Sequence, residues 1–241
     1  MNARAVKGII ASPPKDKLAP DPALLLSIGG PATHLLPPND QPAKYFWSRG
    51  HRVVSFDFEI MPWDLNEFRE IILKGPDPIA EFITQAKAVL DYCIQQKWAR
   101  QDRIVVTGIS RFGYLGFRLM AADERLKIGA AFAPVTDWRD LSEFHNCVDR
   151  KEVIDLQLAR FAPQLAGKKL YLSIGNHDER VNTLNCCRFF LDLNTENEKR
   201  GLGASLVDFL VTADVGHTCG DESFERGLET VLNAALKQEK K

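Results

Sequence analysis

No apolar run in this sequence approaches the roughly 20 residues that a membrane-spanning helix requires, which argues against a membrane partner. The N-terminus offers only Gly8-Ile9-Ile10-Ala11 as an apolar core. A secretory signal needs about 7–15 such residues, so none is read here. Cysteine is sparse: Cys93, Cys147, Cys186, Cys187 and Cys219. Their number is odd, one pair is adjacent and no CxxC occurs, which speaks against a disulfide framework or structural zinc and for a reduced, cytoplasmic chain. An excess of either charge is also missing. Thirty-one basic residues face 32 acidic ones, which leaves no electrostatic reason to expect nucleic acid as partner. No internal repeat and no second core-forming unit is visible. No metal or cofactor is expected. Asp57, Glu59 and Asp64 lie close together, but no histidine stands at matching spacing, and they read as loop acids.

What is present is the composition of an ordinary globular chain, 241 residues long and 45% hydrophobic, enough for one large domain. Residues 1–22, rich in Pro, Lys and Asp, read as a loosely attached lead-in, and 23–241 as the domain. Apolar, β-branched runs then alternate with helical periodicity. Strands are expected at Leu24–Ile28, Val53–Phe58, Ile104–Thr107, Ile128–Phe132, Leu170–Ile174 and Leu206–Val211. Helices are expected over 40–49, 79–98, 113–122, about 183–199 and 223–237. Strands separated by helices imply an α/β fold with a mostly parallel sheet covered on both faces. Ligands bind such a sheet beyond the carboxyl ends of its strands. Residues 135–167 break the alternation and read as a small helical insertion over that face.

The chemistry is therefore sought just after each strand. Gly108-Ile109-Ser110-Arg111-Phe112-Gly113 ends a buried strand and opens a helix, the outline of a sharp turn that lifts a serine hydroxyl off the sheet. A serine is a poor nucleophile unless a base and an orienting acid stand behind it. His217 follows the last strand, and Asp178 the one before it. His51 precedes its strand, at the other end of the sheet, and His34, His145 and His177 lie elsewhere. Each choice has a plainer reading: Ser110 or Asp178 as a helix N-cap, His217 as a solvated loop residue, Glu179 as the acid. An oxyanion needs two backbone N–H donors. Arg111 supplies one, and Gly30 the other unless Gly29 and Gly30 merely turn the chain; Pro31 has no N–H to give. Arg111 could also pair with a substrate carboxylate or pack on an acid of a neighbouring loop. Trp138 and Phe144 could line an acyl pocket or simply fill the core.

Together these stretches resemble the α/β-hydrolase superfamily, and within it the small esterase, dienelactone-hydrolase-like and prolyl-oligopeptidase-like serine hydrolases. The likeness rests on Gly108-Ile109-Ser110-Arg111 with its following helix, on Phe132-Ala133-Pro134-Val135-Thr136-Asp137-Trp138, and on the loops Gly175-Asn176-His177-Asp178-Glu179-Arg180-Val181 and Gly216-His217. It implies Ser110, Asp178 and His217 as a triad and acyl transfer from a small ester to water. The sequence departs from the usual Gly-x-Ser-x-Gly elbow at Phe112, with Gly113 one place later. A phenylalanine there must point away from the crossing of strand and helix or widen it. The glycines at 29 and 30 also lack the histidine that often precedes them. A length of 241 residues leaves no room for the β-propeller of the large prolyl peptidases, which favours an ester substrate over a peptide. The rival from another class is a catalytically silent ligand-binding protein of the same fold, and a third reading keeps the enzyme but moves the bond to a thioester or a short peptide amide, which the same triad serves.

Overall fold

The computed structural model describes residues 6–29, 41–58, 62–75 and 77–237. A seven-stranded sheet runs in the order β1-β3-β2-β4-β5-β6-β7. Its strands are β1 Gly8–Ala11, β2 Leu24–Ile28, β3 Arg52–Phe56, β4 Ile104–Ile109, β5 Ile128–Phe132, β6 Lys169–His177 and β7 Val207–Val215. All neighbours pair in parallel except β1, which lies antiparallel on β3. The principal helices are α1 Ala43–Ser48, α2 Leu65–Lys74, α3 Pro78–Gln95, α4 Arg111–Ala122, α5 Thr183–Lys199 and α6 Asp221–Leu236.

The continuous apolar runs of β2 and β5 are buried at every residue, because helices cover both faces of the sheet. One face carries α1 and α6, packed through Phe46, Leu228, Val231 and Leu232 on Leu25, Val53 and Val105. The other carries α2 to α5 and the insertion, in a larger core that includes Phe68, Phe82, Phe117 and Phe189.

Two elements differ from the sequence reading. Gly8–Ala11, within the stretch read as a loose lead-in, is an edge strand in register with Val53–Phe56. Four residues carry too little periodicity to announce a strand, and the partner edge decides it. Helix α2 occupies a stretch to which no element was assigned. Asp64 caps it by accepting the Asn66 N–H at 2.8 Å, and only Phe68 and Ile72 of its residues are buried. The signal that points to it is the helical spacing of Leu65, Phe68, Ile71, Ile72 and Leu73. The expected insertion is a string of short 3-10 and α turns between Trp138 and Leu165.

Strand length positions the site. β6 and β7 run to His177 and Val215, further than their apolar cores suggest, and remain paired there (His177 opposite Val215) past an irregularity at Gly175–His177. Asp178 therefore leaves the sheet one residue beyond that pair, and His217 two residues beyond it.

Candidate active site

Ser110 stands between β4 and α4 with φ 55° and ψ −123°, a backbone region that non-glycine residues rarely enter and that costs on the order of 1–3 kcal/mol. Three backbone hydrogen bonds, to β5, α4 and the loop after β5, over-determine it. Its N–H donates to the Phe132 carbonyl at 2.8 Å, and its own carbonyl accepts from Tyr114 and Val135 N–H, both at 3.2 Å. The turn also needs close approach of helix to strand. A Cβ on Gly108 would lie 2.3 Å from the Phe112 carbonyl oxygen, and one on Gly113 would lie 3.1 Å from the Gly108 oxygen and 3.2 Å from Ala131 Cβ. The crossing is thus closed by Gly108 and Gly113. The Phe112 ring turns away from it onto Phe58 and Trp63, with ring centroids 5.8 and 5.6 Å apart, so the departure from the usual motif leaves the turn tight.

The Ser110 hydroxyl makes no capping hydrogen bond to α4. It lies 2.9 Å from His217 Nε2, and His217 Nδ1 lies 2.8 Å from Asp178 Oδ2. The second carboxylate oxygen, Oδ1, accepts the N–H groups of Arg180 at 2.9 Å and Val181 at 3.1 Å. Asp178 is 2% exposed, so its charge is stabilised by these donors and the imidazole rather than by water. Its own N–H donates to Thr183 Oγ1, whose hydroxyl donates to the Gly175 carbonyl. The cap of α5 is Asn182, not Asp178. The rival acid Glu179 has a side chain 85% exposed and faces His177. The imidazole of His217 is 28% exposed, reachable by a substrate and by water. Its loop is held by the Gly216 N–H on the His177 carbonyl and the Gly220 N–H on Asp214 Oδ2. His51 lies at the far end of the sheet, where Nδ1 accepts the Ala23 N–H and burial lowers its pKa.

The Arg111 N–H is in the first turn of α4, where backbone donors have no partner within the helix. Gly30, the other expected donor, lies outside the described residues. Trp138 and Phe144 must be reassigned. Both are 0% exposed, Trp138 packed between Phe68 and Tyr114 at 4.9 and 5.1 Å and against Phe144 at 5.5 Å. They anchor the insertion to the core and leave no face for a substrate. The aromatic residue that is open beside the elbow is Trp63, 65% exposed. It follows β3 in a segment without periodicity, which is why the sequence did not point to it. Cys219, two residues from His217, is a free thiol that burial pushes up to about 12, which leaves it protonated and unreactive at neutral pH.

A parallel sheet with a strained serine, a histidine and an aspartate hydrogen-bonded in series at its carboxyl edge defines an α/β-hydrolase fold carrying a serine triad. The model of the prolyl oligopeptidase family matches residues 42–234, and the chain belongs to that family. No curated protein matches it. Among solved structures it is similar to a carbohydrate esterase family 15 glucuronoyl esterase from Caldicellulosiruptor kristjansonii, with TM-score 0.71 and 16% identity over 96% of this chain and 72% of that one. It is also similar to a cold-adapted esterase from an Arctic intertidal metagenomic library, with TM-score 0.68 and 19% identity over 97% of this chain and 90% of the other. A third similar structure is dipeptidyl peptidase 4 of Porphyromonas gingivalis, with TM-score 0.66 and 18% identity over 95% of this chain. The chain spans 33% of that peptidase's length.

Proposed function

We propose that this protein is a serine hydrolase that cleaves a small carboxylic ester through an acyl-enzyme. The observation that carries the reading is the chain of contacts from Ser110 Oγ through His217 to Asp178, 2.9 and 2.8 Å long. Ser110 Oγ attacks the ester carbonyl while His217 Nε2 takes its proton. That proton then passes to the departing alcohol. Water, deprotonated by the same nitrogen, releases the acid and restores Ser110. Asp178 stays ionised, holds Nδ1–H and stabilises the imidazolium. The N–H of Arg111 faces the developing oxyanion at the positive end of α4. The ester reading is supported by the likeness to the Arctic esterase. A short peptide amide is the second reading, favoured by the family itself. The five free thiols support a reducing, cytoplasmic setting.

Purified protein should release nitrophenol from a short-chain nitrophenyl ester, and a fluorophosphonate probe should label Ser110. Label on another residue, or undiminished turnover by Ser110→Ala, would overturn the assignment. Faster cleavage of a dipeptide nitroanilide than of the ester would select the second reading.

A further inference from the structure

The residue after the nucleophile has an unusual setting. The Arg111 guanidinium is half-buried against two aromatic rings that also touch each other, its centre 4.9 Å from the Trp63 ring centroid and 5.0 Å from that of Phe112. Its Nη1 donates to the carbonyls of Pro62 and Trp63 at 3.1 and 3.0 Å. These contacts fix its plane but do not neutralise its charge. On the same side of the sheet, Arg139 meets Asp137 and Arg180 meets Glu143. Among the described residues no carboxylate lies within ion-pair distance of Arg111, and its Nε and Nη2 have no protein partner. Burial alone lowers its pKa, with no acid acting against it. A guanidinium taken partly out of water normally gains a carboxylate in compensation. Two loop acids among the described residues are engaged elsewhere: Asp64 caps α2, and Asp178 is shielded by His217 and two backbone N–H groups.

Resting on the ester-hydrolase reading, we propose that the Arg111 side chain is the anchor for a carboxylate on the substrate, with the exposed Trp63 indole as the apolar wall beside it. The substrates are then carboxylate-bearing esters: monoesters of dicarboxylic acids, or esters of an alcohol that itself carries a carboxylate. The guanidinium is held before substrate arrives, so little side-chain entropy is lost on binding. Its free edge offers two N–H donors in the fork geometry that suits a carboxylate.

The test compares the nitrophenyl monoester of glutaric acid and a carboxy-nitrophenyl butyrate with neutral nitrophenyl butyrate, each rate divided by that for alkaline hydrolysis of the same ester. The first places the carboxylate on the acyl side, the second on the alcohol side. At least one should exceed the neutral ester in kcat/KM by about tenfold or more. That ratio should collapse toward one in Arg111→Met and be partly kept in Arg111→Lys, whichever way the absolute rates move. In the wild-type protein, glutarate should inhibit turnover of the neutral ester at about one tenth the concentration needed of glutaramide. This arm decides the matter even if the Met variant fails to fold. A neutral ester preferred by the wild type, an unchanged ratio in Arg111→Met, or equal inhibition by glutarate and glutaramide overturns the proposal while leaving the hydrolase reading intact. Absence of turnover with all three esters would instead sink the hydrolase reading.

Discussion

Arg180 and Glu143 form a two-pronged ion pair, 2.6 and 2.7 Å long, that ties the Asp178 loop to the insertion. The same Arg180 holds Asp178 with its backbone N–H, so one residue joins the site to the insertion. The guanidinium holds the Glu143 carboxyl down to about 2, from an ordinary value near 4.5.

A folded-state pKa below the unfolded one gives stability that is present above the unfolded value and is lost as pH falls through the folded value. The pair should therefore stabilise the protein fully above about pH 4.5 and lose its effect between there and about 2. Glu143→Gln should cost about 1.5–3 kcal/mol at neutral pH and flatten the acid limb of the stability curve in that window. Denaturant unfolding at a series of pH values measures both. A variant with the wild-type acid limb would remove Glu143 from this role.

The positive φ of Ser110 separates activity from stability at one position. Ser110→Ala and Ser110→Gly should both lose ester turnover, by about a million-fold in kcat if the serine acts as the nucleophile of a triad. Glycine, which accepts this backbone conformation freely, should be the more stable of the two by about 1 kcal/mol. Thermal melts of the two variants decide it, and a glycine variant melting below the alanine one would contradict the strain assigned to the turn.

Asp178→Asn would keep the size of the side chain but present an amide N–H toward His217 Nδ1. The imidazole would then adopt the other tautomer, with its proton on the nitrogen that must accept one from Ser110. A fall of about 10,000-fold in kcat is expected. Only a small effect on KM should accompany it, as read by steady-state kinetics.

Gly108→Ala should destabilise by about 3 kcal/mol or more, because its Cβ would meet backbone rather than a movable side chain. For a chain of this size that corresponds to a Tm lower by about 6–12 °C. A variant melting within about a degree of wild type would show that the elbow can widen after all.

Phe144→Leu tests the reassignment of the insertion aromatics. A residue with no exposed surface should alter Tm, through a cost of about 1–1.5 kcal/mol, and leave the KM for a small ester within about twofold. A large rise in KM with unchanged stability would return Phe144 to the substrate pocket.

Much of the site was legible before any coordinates. Ile104–Thr107, buried at every residue, announced itself as a central strand because continuous apolar sequence is what a doubly covered strand requires. Placing Ser110, Asp178 and His217 after three strands of one sheet then followed from the rule that loops at one edge of a parallel sheet converge. Local sequence was silent where partners decide the outcome. Gly8–Ala11 is a strand only because β3 offers an open edge. Trp138 and Trp63 are the same residue type, one sealed and one open, and nothing in their neighbours along the chain distinguishes them.

The sequence by itself determined the alternation of strands and helices, the order of serine, aspartate and histidine, and the small residues that let α4 cross β4. These are properties of local periodicity and spacing. Tertiary structure alone decided that Phe112 turns away from the crossing and that β6 and β7 pair as far as His177 and Val215. It also decided that the Arg111 charge meets no carboxylate among the described residues. Each of these depends on which distant groups share a volume, and that is set by how the layers pack on the sheet.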